Sequence, residues 1–295
     1  MKVRVLMASV VVLLTVSGGN VLMAGMIPSF PGVENLSERR VSVAGDEESF
    51  LIPDPVFRQF CIEYGYADNR GYIIPAAAAK VTWLNLGRKS VTSLEGIRYF
   101  TGLEKLTCYY TRLASLDVSG CGKLKELYCN HNPSLVSLNV KGCTSLEKLY
   151  CYNTSLTSLD VSGCKALVCL RCHDNASLSK LNVRGCPAMT ELYCHDNRLA
   201  GLDLTGCTAL RTLYCYGNRI AGLDARGMAS VKGFRLFCGN QSSDGRVGQE
   251  LNLILTARQK VRWDDKLADN GSNTRINVTI NNTKYNRRGM ERRNK

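Results

Sequence analysis

The sequence predicts an α+β repeat protein: a solenoid with a parallel β-sheet along its concave face, a short helical cap at its N-terminal end and a β/α cap at its C-terminal end. Three observations predict it. Segments of the form L-x-x-L-x-C-x-x-N return as LEKLTCYYT, LKELYCNHN, LEKLYCYNT, LVCLRCHDN, MTELYCHDN and LRTLYCYGN, from Leu103 onward. Their cysteines, Cys108, Cys129, Cys151, Cys172, Cys194 and Cys215, are separated by 21, 22, 21, 22 and 21 residues. A second series, Cys121, Cys143, Cys164, Cys186 and Cys207, mostly within the phrase LDVSGC, keeps the same beat. A fixed period of this length marks one supersecondary unit repeated end to end, and such an array grows lengthwise without needing one large core.

A period in the low twenties with apolar residues at positions 1, 4 and 6 and Asn at position 9 is the pattern of a leucine-rich repeat. The chain resembles secreted bacterial leucine-rich-repeat proteins of the internalin-like kind, with Cys standing for the third Leu. The resemblance covers roughly Asp54 to Asn282. It implies adhesion or recognition at a cell surface, and it specifies fold far better than partner.

At the N-terminus, MKVRVLMASVVVLLTV sets Lys2 and Arg4 before an apolar run from Val5 to Val16, followed by Ser17, Gly18 and Gly19. This is the order of a secretory signal peptide, assigned to residues 1–25. No charged residue occurs between Arg4 and Glu34, so an uncleaved anchor is the alternative. Residues 26–50 read as a linker, because Pro, Gly, Ser and Glu dominate without periodicity.

Residues 51–80 are expected to form the N-terminal helical cap. Asp54 is an N-cap followed by Pro55 at the first helical position, and Val56, Phe57, Phe60, Cys61 and Tyr64 can line one helical face. The following YADNRGYIIPAA is similar to the calcium loop found in some caps of this kind. With Gly71 at position 6, however, only Asp68 at position 3 is a suitable oxygen ligand, so the segment reads as a cap without calcium.

The repeat array is placed at 81–240. Val81, Leu84, Leu86, Val91, Leu94, Ile97 and Phe100 begin the apolar period without Cys, as an atypical terminal repeat does. Six Cys-containing repeats follow. In the seventh, VKGFRLFCGN, Cys238 stands one residue late relative to Asn240, which predicts a loosened register. Residues 241–283 form the C-terminal cap: LNLILT reads as a strand, Thr256 and Gln259 make a capping box for a short helix ending near Leu267, and RINVTI is a final strand. Residues 284–295 are a basic tail expected to be disordered.

The net charge of +13 gathers partly at the ends, leaving about +6 for the body once Lys2, Arg4 and the tail are set aside. Together with export, this argues against nucleic acid as a partner.

Strand alternation assigns each repeat position to a face. Positions 4 and 6 point inward, which buries the Cys ladder. Parallel strands lie about 4.8 Å apart, slightly beyond the Cβ separation a disulfide needs, so reduced thiols packing as small hydrophobes are expected despite fourteen cysteines in an exported chain. Asn132, Asn175, Asn197 and Asn218, with Thr111 and Thr154 substituting, should bond backbone groups of the turn leaving the strand. Asp117, Asp160, Asp203 and Asp224 share another position and read as turn formers.

Positions 3, 5 and 7 point to the concave face. Position 5 carries Thr107, Tyr128, Tyr150, Arg171, Tyr193 and Tyr214; position 7 carries Tyr109, Asn130, Tyr152, His173, His195 and Tyr216. With Tyr110, eight of the thirteen tyrosines fall on this face, more than core packing explains. Aromatic residues are good strand formers, but rings with polar tips also supply contact area at low entropic cost. The candidate ligand-binding residues are therefore Tyr109, Tyr128, Tyr150, Tyr152, Arg171, His173, Tyr193, His195, Tyr214 and Tyr216.

Sharper patterns also occur. CLRCH, from Cys169 to His173, matches the c-type haem attachment motif, but Cys172 belongs to the buried ladder and Cys169 faces the other way, as the exposed thiol of the chain. His173-Asp174 and His195-Asp196 recur in neighbouring repeats, which would place two imidazoles about 5 Å apart beside carboxylates. A Zn²⁺ site is conceivable, although duplication of a repeat unit gives the same pattern without metal. No nucleophile with a base stands apart from the repeat grammar.

The reading is a non-catalytic recognition or adhesion protein, exported to the periplasm, cell surface or medium, with a protein or peptide ligand, possibly a glycan, and no cofactor. The membrane enters only through an uncleaved signal. The alternatives are a metal-binding or redox module using the histidines and Cys169, or a carbohydrate-binding surface protein.

Overall fold

A computed structural model describes residues 13–17, 20–24, 50–229, 235–239, 241, 250–262 and 275–280. The chain divides into two compact units, Met1–Phe50 and Leu51–Lys295. In the first, Leu13–Ser17 and Asn20–Ala24 pair as antiparallel strands with Leu13 opposite Ala24 and Ser17 opposite Asn20. Among the described residues no helix is long and apolar enough to cross a membrane. The linker assigned to 26–50, apart from Phe50, the helix end near Leu267 and the basic tail lie outside the described residues.

The second unit is a leucine-rich-repeat solenoid. It opens with helix α1 (Pro55–Glu63), where the Asp54 carboxylate accepts the Phe57 N–H at 2.8 Å and Pro55 occupies the first turn. The other oxygen of Asp54 accepts from the N–H and hydroxyl of Thr92 and the N–H of Ser93, so the residue that starts the helix also ties the cap to the first repeat. Phe57, Phe60 and Cys61 are buried. Tyr64, expected on the same face, is instead 60% exposed and stacks on Phe60 from outside, because the helix ends before it at Glu63. Beyond α1, the Asp68 carboxylate accepts the N–H groups of Arg70 and Tyr72 and meets the Arg70 guanidinium, closing the turn at Gly71 from within. A short helix α2 (Pro75–Ala78) leads into the first strand.

Eight three-residue strands then form one continuous parallel sheet: Trp83–Asn85, Lys105–Thr107, Glu126–Tyr128, Lys148–Tyr150, Cys169–Arg171, Glu191–Tyr193, Thr212–Tyr214 and Arg235–Phe237. Each residue faces its repeat equivalent, as in the series Leu84, Leu106, Leu127, Leu149, Leu170, Leu192, Leu213 and Leu236. These leucines and the ladder Cys108 to Cys238 are buried. Each fully buried Leu contributes about 2 kcal/mol of apolar transfer, and the repeat supplies one per strand.

The turn leaving each strand is held by a buried amide. Asn132 donates from Nδ2 to the Cys108 and Cys129 carbonyls and accepts the Thr111 N–H; Asn175 does the same for Cys151, Cys172 and Thr154. Asn197 and Asn218 repeat the bridge. One side chain thus satisfies carbonyls of two successive repeats, which a buried backbone requires. The seventh repeat keeps this register, contrary to the expected loosening: Arg235–Phe237 pairs in step with Thr212–Tyr214, and Gln241 takes the amide position, donating to the Cys215 and Cys238 carbonyls and accepting from Ile220. Cys238 is not late; the amide bearer is one residue further on and one methylene longer.

The opposite side of the solenoid carries shorter pieces of sheet: Ser115–Asp117 with Ser137–Asn139, Ser158–Asp160 with Lys180–Asn182, and Gly222–Asp224 with the cap strands Glu250–Leu255 and Arg275–Ile280. Asp117, Asp160, Asp203 and Asp224 accept the N–H two residues on, as turn formers do. The second Cys series sits here, and its thiols are more than filler. Cys121, Cys143, Cys164, Cys186 and Cys207 each donate to a carbonyl of the preceding repeat, at 3.1–3.8 Å. The expected capping box holds in the C-terminal cap, where Thr256 and Gln259 bond reciprocally at the start of α3 (Ala257–Arg262). Gln259 also donates to Ala225 and Met228, fastening the cap to the last repeat.

Candidate functional site

The outer face of the eight-stranded sheet gathers the residues that the sequence placed on it. At position 5 the side chains form one file, begun by Lys105 from position 3. Lys105 lies over Tyr128, Tyr128 meets Tyr150 edge to face at 5.0 Å, and Arg171 is held between Tyr150 and Tyr193 at 4.7 and 5.0 Å from their centroids. Tyr193 stacks on Tyr214 at 4.9 Å and Tyr214 on Phe237 at 4.3 Å. A second file runs beside it through positions 7 and 8: Tyr110, His131, Tyr152, His173, His195 and Tyr216, with successive centroids 4.3, 5.0, 4.5, 4.5 and 4.5 Å apart. Tyr109 meets Tyr110 edge-on at the end of this file. The spacing follows from the strand separation, since equivalent side chains one repeat apart can only stack at about 4.8 Å.

Each of the ten candidate residues is half-buried. Mutual stacking covers ring faces along both files, and the His173 Nδ1 is buried without a hydrogen-bond partner. Thr107 and Asn130, also expected on this face, are covered by their neighbours and buried.

Charge is woven into the same face. Glu126 is bridged by Lys148 at 2.8 Å and Lys105 at 3.0 Å, and those two bonds, first that of Lys148, hold its carboxyl down at about 2. The Tyr128 hydroxyl donates to Glu126, and burial followed by that carboxylate pushes the phenol up to about 12. Burial, then the neighbouring His195, Arg171 and His131, holds the His173 imidazole down at about 4, so it is neutral near pH 7.

Cys169 requires a correction. It occupies the outward position 3, as expected, but it is only 7% exposed, with Sγ 3.7 Å from a Glu191 oxygen, and burial raises its pKa. Long neighbours at positions 3 and 5 close over it, and alternation alone could not reveal this. All fourteen cysteines are free and buried. Burial raises the pKa throughout the strand ladder, which is the state of an unreactive thiol.

The position-8 residues Arg88, Tyr110, His131, Asn153, Asp174 and Asp196 all have left-handed backbone, with φ between 52° and 64°. Non-glycine residues adopt this conformation at a cost, Asn and Asp least. The same turn therefore presents a polar or aromatic side chain beside position 7 in six successive repeats, and Gly217 holds the position in the next. The sequence period contained this signal, but only the backbone shows it as a row.

No family model matches the chain, and no curated protein matches it. Solved structures do. The functional domain of InlJ from Listeria monocytogenes, described as including a cysteine ladder, is 21% identical over 77% of this chain, with a TM-score of 0.37; the match spans 59% of that domain's length. Internalin C2 from Listeria monocytogenes is 17% identical over 78% of this chain and 95% of its own, with a TM-score of 0.38. A leucine-rich-repeat protein from Leptospira interrogans is 15% identical over 61% of this chain and 80% of its own, with a TM-score of 0.22. The likeness is one of repeat fold.

Proposed function

We propose that the chain is an exported, non-catalytic recognition protein that binds a protein or peptide through the outer face of its eight-stranded sheet. The observation that carries the reading is the pair of ring files. The core is already filled by Leu and Cys, so rings outside it are surplus to packing. They are also held in place before any ligand arrives, which removes much of the ordering cost that binding otherwise incurs. Interleaved Arg171, Glu126, Lys148 and Glu191 give the face polar partners for a peptide backbone.

The same geometry favours a peptide over a sugar chain. A sugar stacks on an open ring face, whereas Tyr193, Tyr214 and Phe237 stack on one another and Arg171 covers Tyr150 and Tyr193. Ring edges carry partial positive charge and suit carbonyl or carboxylate oxygens. Export rests on the N-terminal sequence, with Lys2 and Arg4 ahead of the apolar run.

The test is selection of a displayed random peptide library on the immobilised chain. Selected peptides should lose binding to the triple variant Tyr150→Ser, Tyr193→Ser, Tyr214→Ser by more than about tenfold. They should bind a variant altered on the opposite side, Asp160→Ala with Lys180→Ala, as they bind the wild type. The reading fails if binders ignore the triple variant and are lost from the opposite-side one. A parallel screen on immobilised oligosaccharides that gave triple-variant-sensitive binding would replace the peptide with a glycan.

A further inference from the structure

We propose that Asp174, His195 and Asp196 form a binding site for one divalent first-row transition ion, Zn²⁺ being the best fit, on the outer face of the sheet. Each of the three offers one ligand atom, and these atoms all lie within 4.8 Å of one another. His195 Nδ1 stands 2.9 Å from Asp196 Oδ2, and His173 Nε2 stands 3.8 Å from Asp174 Oδ2 at the edge of the cluster.

The backbone fixes this arrangement. The Asp174 N–H donates to the His195 carbonyl and the Asp196 N–H to the Tyr216 carbonyl, so the two left-handed turns sit one above the other with their carboxylates on the same side.

Beyond this geometry, charge points to a cation. Elsewhere the solenoid separates or neutralises its stacked acids: Asp160 is followed one repeat on by Asn182, which donates to it, while Asp203 meets Arg184 and Asp224 meets Arg226. Among the described residues no Lys or Arg pairs with Asp174 or Asp196, although the chain has a net charge of +13. Two adjacent carboxylates left to imidazoles alone are what a cation would balance. The next residue in the row is Gly217, and a Cβ there would come within 2.2 Å of Asp196 Oδ1, so the glycine is what lets this carboxylate take its place beside His195.

A donor set of two carboxylates and imidazole suits Zn²⁺ and its first-row neighbours, whereas Ca²⁺ and Mg²⁺ prefer oxygen alone. Half the surface of the carboxylates faces solvent, so positions on the ion remain for water or for a donor from a bound molecule. The site is independent of the peptide reading: it can exist without a peptide partner, and the reverse holds as well.

The test uses the whole chain, stripped with EDTA and titrated with Zn²⁺ by calorimetry near neutral pH, with Co²⁺ as a spectroscopic probe. One ion per chain is expected. His195→Ala, and separately Asp174→Asn with Asp196→Asn, should weaken binding by about tenfold or more, while His131→Ala should not. The Asn pair should fold, because Asn153 holds the same turn position with φ of 53°. The Co²⁺ spectrum should show visible ligand-field bands without the near-ultraviolet thiolate band. Absence of stoichiometric uptake, uptake indifferent to both variants, or a thiolate band reporting ions at cysteines would each overturn the proposal.

Discussion

The two sides of the solenoid are built from the same repeat, yet one carries an unbroken sheet of eight strands and the other only short pieces, with no strand at Gly201–Asp203. The difference lies in what crosses from one repeat to the next. On the sheet side a buried Asn or Gln amide spans two repeats at Asn132, Asn175, Asn197, Asn218 and Gln241, and stacked rings add a second crossing on the outside. On the opposite side the Asp bonds to backbone close within one turn, and the side-chain crossings are thiol–carbonyl bonds, whose donors are weak, and exposed contacts such as Asn182 to Asp160 and Arg184 to Asp203. Rigidity concentrates where the candidate binding face is, while the far side tolerates interruption.

The largest expected effect breaks the sheet side. Asn197→Ala removes the bonds to the Cys172 and Cys194 carbonyls and leaves the Asn175 N–H without its acceptor, all in a buried turn. A loss of about 3 kcal/mol in urea unfolding is expected. Asp160→Ala on the opposite side, which frees only exposed donors, the Ser162 N–H and the Asn182 amide, should lose under about 1 kcal/mol. Equal losses would mean the two sides are tied equally.

A smaller effect separates the two cysteine ladders. Cys172→Ser buries a hydroxyl in the strand ladder, where the thiol makes no hydrogen bond among the described residues; about 2 kcal/mol should be lost. At Cys186 the hydroxyl finds the Val161 carbonyl that the thiol already uses at 3.3 Å, so Cys186→Ser should lie within about 1 kcal/mol of the wild type. Thermal unfolding of both variants under reducing conditions gives the comparison.

Acid should act on the sheet side in two windows. His173 takes up a proton more readily unfolded, near pH 6.5, than folded, near 4, so the unfolded state gains protons first and stability falls as the pH drops through that interval. Glu126 has its folded pKa lowered to about 2 from 4.5; its contribution is present above 4.5 and is lost as the pH falls toward 2. In metal-free buffer His173→Gln should flatten the upper window and Glu126→Gln the lower. A unique effect of either variant in the wrong window would contradict these assignments.

Much of this was legible in the sequence. The repeat period gave the strands, the buried Leu and Cys positions, the Asn role and the outward row of Tyr and His residues, because strand alternation and a fixed repeat determine which face each position joins. The misses share a cause: they depend on neighbours in space. Gln241 stands three residues after Cys238, as each Asn stands after its Cys, but the neighbouring Asn240 mimics a shifted register and hides it. Cys169 was expected to be exposed because alternation points it outward, but its thiol is met by Tyr150, Arg171 and Glu191 and is buried. The thiol bonds of the second Cys series needed the carbonyls of the preceding repeat, which periodicity does not place. That ring faces cover each other needed the side-chain geometry itself.

Hydroxyl-radical footprinting of the intact chain, with and without a peptide selected from the library, tests the central claim most directly. The account predicts that oxidation falls at Tyr128, Tyr150, Tyr152, Tyr193, Tyr214 and Tyr216 and is unchanged at the exposed Val136, just ahead of Ser137–Asn139 on the opposite side. Protection at Val136 with the six tyrosines unaffected would contradict it.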